Sequence, residues 1–431
     1  MRAHVLLSAA LFGCFACSVS AQLPATAVAT NPTGAISLRD AVSLALEQSP
    51  DLLVFDAGRR AAEARLLQAG RLPNPVLNTM VEDVGGSSSA SDIVGALQPQ
   101  ATVQLSQLIE LGGKRAVRQR LAGLDRDLAS WDYEAARLDV LARVSAAFLG
   151  VLAAQQAVAH AAQTLDVAQQ VRQTVAARVA AGVVSPIEET RADILVATVE
   201  IDADRARRTL DARRRQLATH WGSSIAVFAA ATGSLDAIAA IPPLEALEGA
   251  LVRNPDLARW VAEIERRQAG LSLARSARTP DVTLSAGYRR FTSIDSQAFV
   301  VGATIPLPLF DRNRDAIRAA EVSVEQANHA ARAAQLHLNA RLADSYRALA
   351  SAADDVRTLR TRVVPGARSV FDAVQEGYQL GRFGLLNVLD AQRTLVDANG
   401  EYLRALTTYH QAVTAVERLV GQPLSDFAVI K

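Results

Sequence analysis

Cysteine is almost missing from this chain. There are two in 431 residues, Cys14 and Cys17, both near the start. No disulfide and no thiol chemistry can be built from the residues that follow. An excess of one charge is missing too. Lys and Arg number 45 against 44 Asp and Glu, so nucleic acid meets no basic face. Aromatics make up only 5% of residues, which points to long helices packed over small side chains rather than ring-filled cores. Beyond the N-terminus no stretch reads as a membrane-spanning helix. The nearest, 144–162, is broken by Ser145, Gln155, Gln156 and His160 and continues a heptad. Such a chain is either soluble or crosses a membrane as a β-barrel.

Signs of chemistry are equally thin. His160, His220, His329, His337 and His410 contain no i, i+4 pair, so no structural metal site and no cofactor is expected. Gly112-Gly113-Lys114 has Arg115 where a phosphate loop needs Ser or Thr. Asp354-Asp355 and Glu188-Glu189 are adjacent on helices and point two ways, which excludes a carboxylate dyad. No catalytic residue is assigned, and the chain is expected not to be an enzyme.

What is present begins with a secretion signal. Arg2 is followed by an apolar run from Val5 to Cys17 and by Val19-Ser20-Ala21, a signal peptide over 1–21 with Gln22 as the mature start. A lipoprotein site at Cys14 or Cys17 is the alternative.

The rest of the chain is written twice. Ser49-Pro50-Asp51-Leu52 recurs as Asn254-Pro255-Asp256-Leu257, 205 residues on; Gly182 recurs as Gly381 and Gly222 as Gly421, 199 on. One duplicated unit explains both, giving repeats over 22–222 and 223–431. In the first, Ser37 with Asp40 caps a helix ending at Gln48. A second helix runs from Asp51 to the prolines of Leu72-Pro73-Asn74-Pro75. Alternating runs around Val76 to Val81 and around Ala101, Val103 and Leu105, with Gly85-Gly86-Ser87-Ser88-Ser89 between them, make a β-hairpin over 75–109. The second hairpin, 281–307, alternates through Val282, Leu284, Ala286 and Tyr288, then Phe299, Val301, Ala303 and Ile305. These strands have the length a tilted strand needs to cross a bilayer; a half-buried soluble sheet would look the same.

A helical hairpin follows each β-hairpin, over 114–221 and 313–420. Val117, Leu121, Leu124, Leu128, Trp131, Ala135, Leu138, Ala142, Ser145, Leu149 and Leu152 keep a 4-3-4-3 spacing, a coiled-coil seam. The second seam holds Leu342, Leu349, Val356, Leu359 and Val363, with a kink expected at Pro365-Gly366. Tight reversals follow at Gly182 to Pro186, with Ser185 as N-cap, and at Gly381 to Gly384. The fold class is therefore mainly α with a small β part: two tandem repeats of a long coiled-coil helical hairpin plus a β-hairpin. Four strands cannot close a barrel, and open edges in lipid cost several kcal/mol per group. Three copies would give a 12-stranded transmembrane β-barrel continued by a 12-column periplasmic α-barrel.

The layout resembles the TolC family of outer-membrane efflux proteins across the chain after the signal, and its heavy-metal branch most. The branch motifs are Ile109-Glu110-Leu111-Gly112-Gly113-Lys114-Arg115 and Ile305-Pro306-Leu307-Pro308-Leu309-Phe310-Asp311, while Leu389-Asp390-Ala391-Gln392-Arg393 resembles the periplasmic tip. The resemblance implies a homotrimeric exit duct in the outer membrane of a Gram-negative bacterium, reaching into the periplasm. It implies a periplasmic membrane-fusion adaptor and an inner-membrane resistance-nodulation-division (RND) transporter as partners, outer-membrane lipid around the barrel, no nucleic acid, and divalent heavy-metal cations as cargo. Export of organic solutes, type I protein secretion, a periplasmic adaptor and a soluble scaffold are the other readings. It assigns Asp390 to an acidic ring at the tip, with Asn387 in place of a second acid. Glu188 and Tyr378 match two members of the link that holds the tip closed; Arg382, beside Phe383, stands nearest the third. Gly182, Ser185, Pro186, Gly381, Phe383 and Gly384 would form the turns that meet the adaptor.

Overall fold

The computed structural model describes residues 31–82, 100–291 and 296–427. The expected signal peptide and the Gly85–Ser89 loop lie outside the described residues. A strand β1, Ala35–Ser37, leads into α1, Leu38–Gln48. The capping box is present: the Ser37 hydroxyl accepts from the Asp40 amide and Asp40 accepts from the Ser37 amide. Helix α2, Pro50–Ala69, starts on proline, whose missing N–H is no loss in a first turn. Strands β2, Val76–Glu82, and β3, Gln100–Ile109, precede α3, Lys114–Ala180. That helix has 67 residues, about 100 Å at 1.5 Å per residue. Helix α4, Pro186–Thr219, returns alongside it, its first turn capped by Ser185.

The second half follows the same order. Strand β4, Ala230–Thr232, pairs in parallel with β1. A short helix α5, Leu244–Ala250, precedes α6, Pro255–Ser276, which is capped by Asn254. Strands β5, Val282–Phe291, and β6, Ser296–Thr304, lead to α7, Arg314–Thr358, a π-turn, Leu359–Val363, α8, Val364–Gln379, and α9, Leu385–Val420. All four long strands form one antiparallel sheet in the order β2-β3-β5-β6. Strands β3 and β5 join the hairpins over ten residue pairs, from Gln100↔Phe291 to Ile109↔Val282. Among the described residues, strands β2 and β6 are left as open edges.

The helices form a layer with α3 at its centre, flanked by α2 and α6 in one half and by α4 and α9 in the other. One core gathers at mid-length, where Trp221, Phe228 and Leu235 close on Val144, Phe148 and Val151 of α3 and on Tyr409 of α9. The small-residue segment after Gly222 thus fills the joint between stacked helices. A second core lies at the turn end: Val171, Val175, Ala192, Phe371, Tyr378, Leu385, Val388 and Leu395. Helix α3 does contain a stretch apolar enough to span a bilayer. Only 33% of that stretch is buried within the protomer, and Val144, Phe148 and Val151 of the same helix face its core.

The heptads depart from expectation in two places. On α3 the buried line runs Ala136, Val140, Val144, Phe148, Val151, while Ala135, Leu138, Ala142 and Ser145 are half-buried. The helix meets α1, α2, α4, α6 and α9 in turn, so no single seam persists along it. On α7, Leu342, Leu349 and Val356 are buried as expected, but Val363 is exposed and the inward line resumes at Val364, Ala367, Phe371 and Tyr378. The π-turn accounts for this. It adds one residue to a turn, so the inward heptad steps from 356 to 364 instead of 363. The distortion sits just before Pro365, where the ring cannot donate to the preceding turn.

Candidate functional site

The turn end of the helical layer brings the tip residues together. After α3, Gly182 takes a left-handed φ of 69° and the Val183 amide bonds back to the Arg178 carbonyl at 2.9 Å. After α8, Gly381 does the same at φ 73°, and the Arg382 amide reaches the Gly377 carbonyl at 2.8 Å. Ser185 and Pro186 start α4, and Gly384 precedes α9. The Phe383 ring lies directly against Gly377, whose missing Cβ makes the room.

Tyr378 is buried to 3% exposure in the last turn of α8. Glu188 lies in the first turn of α4, where the positive end of the helix favours a carboxylate. The two come together, but the Tyr378 hydroxyl and Glu188 Oε2 are both buried without a hydrogen bond. Burial, and then the Glu188 charge, raise the phenol pKa, with Arg178 opposing. Arg382 is exposed. The arginine against Tyr378 is Arg178 on α3, which donates from Nη1 to the Tyr378 carbonyl at 2.6 Å and places its guanidinium 4.5 Å from the ring centroid. Arg178 went unnoticed in the sequence because a basic residue in the last helical turn is ordinary and its partner is 200 residues away. Asn387 and Asp390 lie one turn apart on an exposed face of α9. Deeper along the same helices, Gln392 is 4% exposed with both amide atoms unpaired, and His160 Nε2 is also buried and unpaired.

The motif residues stand at the other end, where strands become helices. Glu110 pairs with Arg118, accepting at 2.9 Å from Nη2. Lys114 Nζ and the Leu111 amide both donate to Asp281 Oδ1, at 2.8 and 2.9 Å. Arg115 and Arg118 cap the end of α2 through the carbonyls of Gly70 and Ala69. Gly112 is left-handed, and a Cβ there would stand 2.9 Å from Thr279 Cβ. In the second repeat Pro306, Pro308 and Phe310 are exposed. Asp311 Oδ1 accepts from the Asn313 amide at 2.8 Å, and Asn313 Nδ2 caps α6 through the Ala274 carbonyl at 2.6 Å. Among the described residues no three His, Cys, Asp or Glu side chains are grouped to hold a metal ion.

An open four-stranded sheet continued by a layer of helices about 100 Å long, with a buried polar contact at the far tip, is an arrangement suited to a channel-type protein. The family model described as outer membrane efflux protein matches residues 41–223 and 246–422. The chain belongs to the outer membrane efflux protein family, and it is an outer-membrane protein. It is 36% identical over 389 residues to the cobalt-zinc-cadmium resistance protein CzcC of Cupriavidus metallidurans, covering 90% of this chain and 91% of the relative. It is 28% identical to the nickel-cobalt-cadmium resistance protein NccC of Alcaligenes xylosoxydans xylosoxydans, over 72% and 70% of the two chains. In fold it is similar to CusC, with a TM-score of 0.76, 18% identity and 89% and 92% of the chains covered. The Campylobacter jejuni outer membrane channel CmeC gives 0.75, 15%, 89% and 85%.

Proposed function

We propose that three copies of this chain, each carrying the two repeats 22–222 and 223–431, close into a 12-stranded barrel and a 12-column helical tunnel. The tunnel is the exit duct of an RND-type efflux system for divalent heavy-metal cations. The observation that carries the cargo is the 36% identity, end to end, with a cobalt-zinc-cadmium resistance protein. The observation that carries the ring is the sheet itself, whose β2 and β6 edges are unpaired and cannot stay so in lipid. The duct catalyses nothing. Its inner-membrane transporter supplies the energy, and an adaptor meets the tip turns at Gly182, Ser185, Pro186, Gly381, Phe383 and Gly384. Three Asp390 carboxylates, one per copy, would form a ring that favours cations over anions; Asn387 leaves a single charged ring there. Arg178, Tyr378 and Glu188 would hold the tip shut.

Deleting the gene and scoring growth on cobalt, zinc and cadmium tests the cargo. Heightened sensitivity, restored by the wild-type gene, is the expected result. Unchanged metal tolerance with heightened sensitivity to organic compounds would move the reading to solute export, which a 26% identity with the pyoverdine export protein OpmQ of Pseudomonas aeruginosa also supports.

A further inference from the structure

The helical layer of one protomer has two free sides, and each carries an apolar line at heptad spacing. Among the long helices α4 packs mainly against α3, and at the tip its Ala192 joins the core that α8 and α9 line. Its Ala192, Val199 and Ala203 are buried, and on the opposite side Ile187, Ile194 and Ile201 are all more than half exposed. At the other side of the layer, α8 packs on α9, and Val363 and Val370 are exposed, seven residues apart. These two valines are the continuation of the inward line Leu342, Leu349, Val356. The extra residue in the π-turn rotates them out of the protomer's own core and puts Val364, Phe371 and Tyr378 in their place.

The two lines also match in height. Both helices begin or end at the tip, with Ser185 before α4 and Gln379 closing α8. At 1.5 Å per residue, Ile194 and Val370 each lie about 14 Å from the tip, and Ile201 and Val363 each lie about 24 Å from it. Ile187 falls level with Gly377, the position that Phe383 covers. Charge is complementary as well. Between 186 and 204, α4 holds six carboxylates and one arginine, with Asp193, Asp202 and Asp204 paired within the protomer; 357–370 holds four arginines and no carboxylate, with Arg357 and Arg368 paired to Asp354 and Asp372 just outside that span.

We propose that these faces are two halves of one seam between copies of this chain: Ile194 and Ile201 of one protomer pack on Val370 and Val363 of the next. This rests on the three-copy reading above and adds which helices meet, at what register and through which side chains. The π-turn is then the device that makes the seam, because in an unbroken α-helix of the same sequence the valines would be spent inside the protomer. The apolar line sets the register and the charged flanks set the pairing of α4 with α8 rather than with a second α4.

No cysteine follows Cys17, so engineered pairs report cleanly. The full chain carrying Ile194→Cys and Val370→Cys is extracted in detergent and oxidised, and so is a second matched variant, Ile201→Cys with Val363→Cys. A mismatched control carries Ile187→Cys and Val363→Cys, about 21 Å apart in height. The expected result is covalent trimer from both matched pairs, at yields about tenfold above the control, since a disulfide needs Cα atoms within about 7 Å. Absence of cross-linking in a particle whose mass is three chains would overturn the seam and leave the three-copy reading standing. A single-chain mass would overturn both. Cross-linking to a helix of a co-purified adaptor, with none between copies, would overturn the seam in favour of a heterologous partner.

Discussion

Gly113 and Asn313 hold the same left-handed conformation, φ 72° and 56°, at the last residue before α3 and before α7. The two repeats solve the same problem, turning a strand into a helix, with different residues. Glycine does it by lacking a Cβ; asparagine tolerates the region and adds a cap on α6 through Ala274. Gly113→Ala is therefore expected to cost about 1 kcal/mol. Asn313→Ala, which loses both the conformational tolerance and the cap, should cost about 2 kcal/mol, and Asn313→Gly, which loses only the hydrogen bond, about 1 kcal/mol. Unfolding midpoints of the three variants in detergent would check the order, and an Asn313→Gly variant less stable than Asn313→Ala would contradict it.

Arg178 makes a sharper prediction than Tyr378 about the tip. The Tyr378 hydroxyl sits beside Glu188 without a well-formed hydrogen bond, so Tyr378→Phe should disturb the closed tip less than loss of Arg178 does. Arg178→Ala removes a charge-assisted bond to the Tyr378 carbonyl and the stacking over its ring, together about 2 kcal/mol. That carbonyl keeps its bond from the Gly381 amide at 3.0 Å, so no acceptor is orphaned. Planar-bilayer recordings should show longer or larger openings for Arg178→Ala than for wild type, with Tyr378→Phe closer to wild type. The reverse order would return the brake to the tyrosine hydroxyl and Glu188.

Punctuation made much of this fold readable in the sequence. Pro50, Pro186 and Pro255 open helices, Gly182, Gly381 and Gly421 end the helical turns, and Ser37 with Asp40 forms the cap it spells out. These are local signals, each decided by one or two residues. Features that depend on distant partners were hidden. The β1–β4 ladder is three residues long and joins Ala35 to Ala230, too short for any alternation to show. Arg178 finds its tyrosine across two helices. Phase was the other casualty. A heptad in sequence states a period, but the face that is buried depends on which neighbours arrive, which is why Ala136 and Val140 of α3, and not Ala135 and Leu138, are the buried ones.

Acid should loosen the helical layer around His160. Burial lowers the imidazole pKa from 6.5, partly offset by the Val396 carbonyl. The charges lining the adjoining groove from α9 are paired on their own helix, Arg393 with Asp397 at 3.8 Å and Arg404 with Glu401 at 2.7 Å. As pH falls, the unfolded chain takes up the imidazole proton before the folded one does. The stability from this group is thus full above pH 6.5 and is lost as pH drops through the lower folded value. His220 is lowered in the same direction by burial and by Arg143, so some pH dependence will survive without His160. His160→Gln is expected to flatten, not abolish, the fall in melting temperature between pH 7 and pH 5. An unchanged slope would remove His160 from the account.

The π-turn offers the most demanding test of how sequence phase becomes structure. Removing Thr361 would leave Leu359 to Val363 one residue short and restore an unbroken α-helix from Arg314 onward. Original Val364, Phe371 and Tyr378 would then fall seven residues apart on the line that follows Val356 with no skip, while original Val363 and Val370 would stay one residue, about 100°, away on the outer face. Both faces of α8 therefore keep their phase relative to α7, and the helix is shorter by one residue, about 1.5 Å. The core line and the outer line should both survive. With Phe371→Cys as a reporter of the inner face, maleimide labelling should stay slow in the deletion, because that position is 3% exposed at the start. With Val370→Cys as a reporter of the outer face, labelling should stay fast, because that position is 53% exposed at the start. Rapid labelling of Phe371→Cys in the deletion would mean instead that the π-turn holds the core residues in place, and that the inward step from Val356 to Val364 cannot be made by a plain helix.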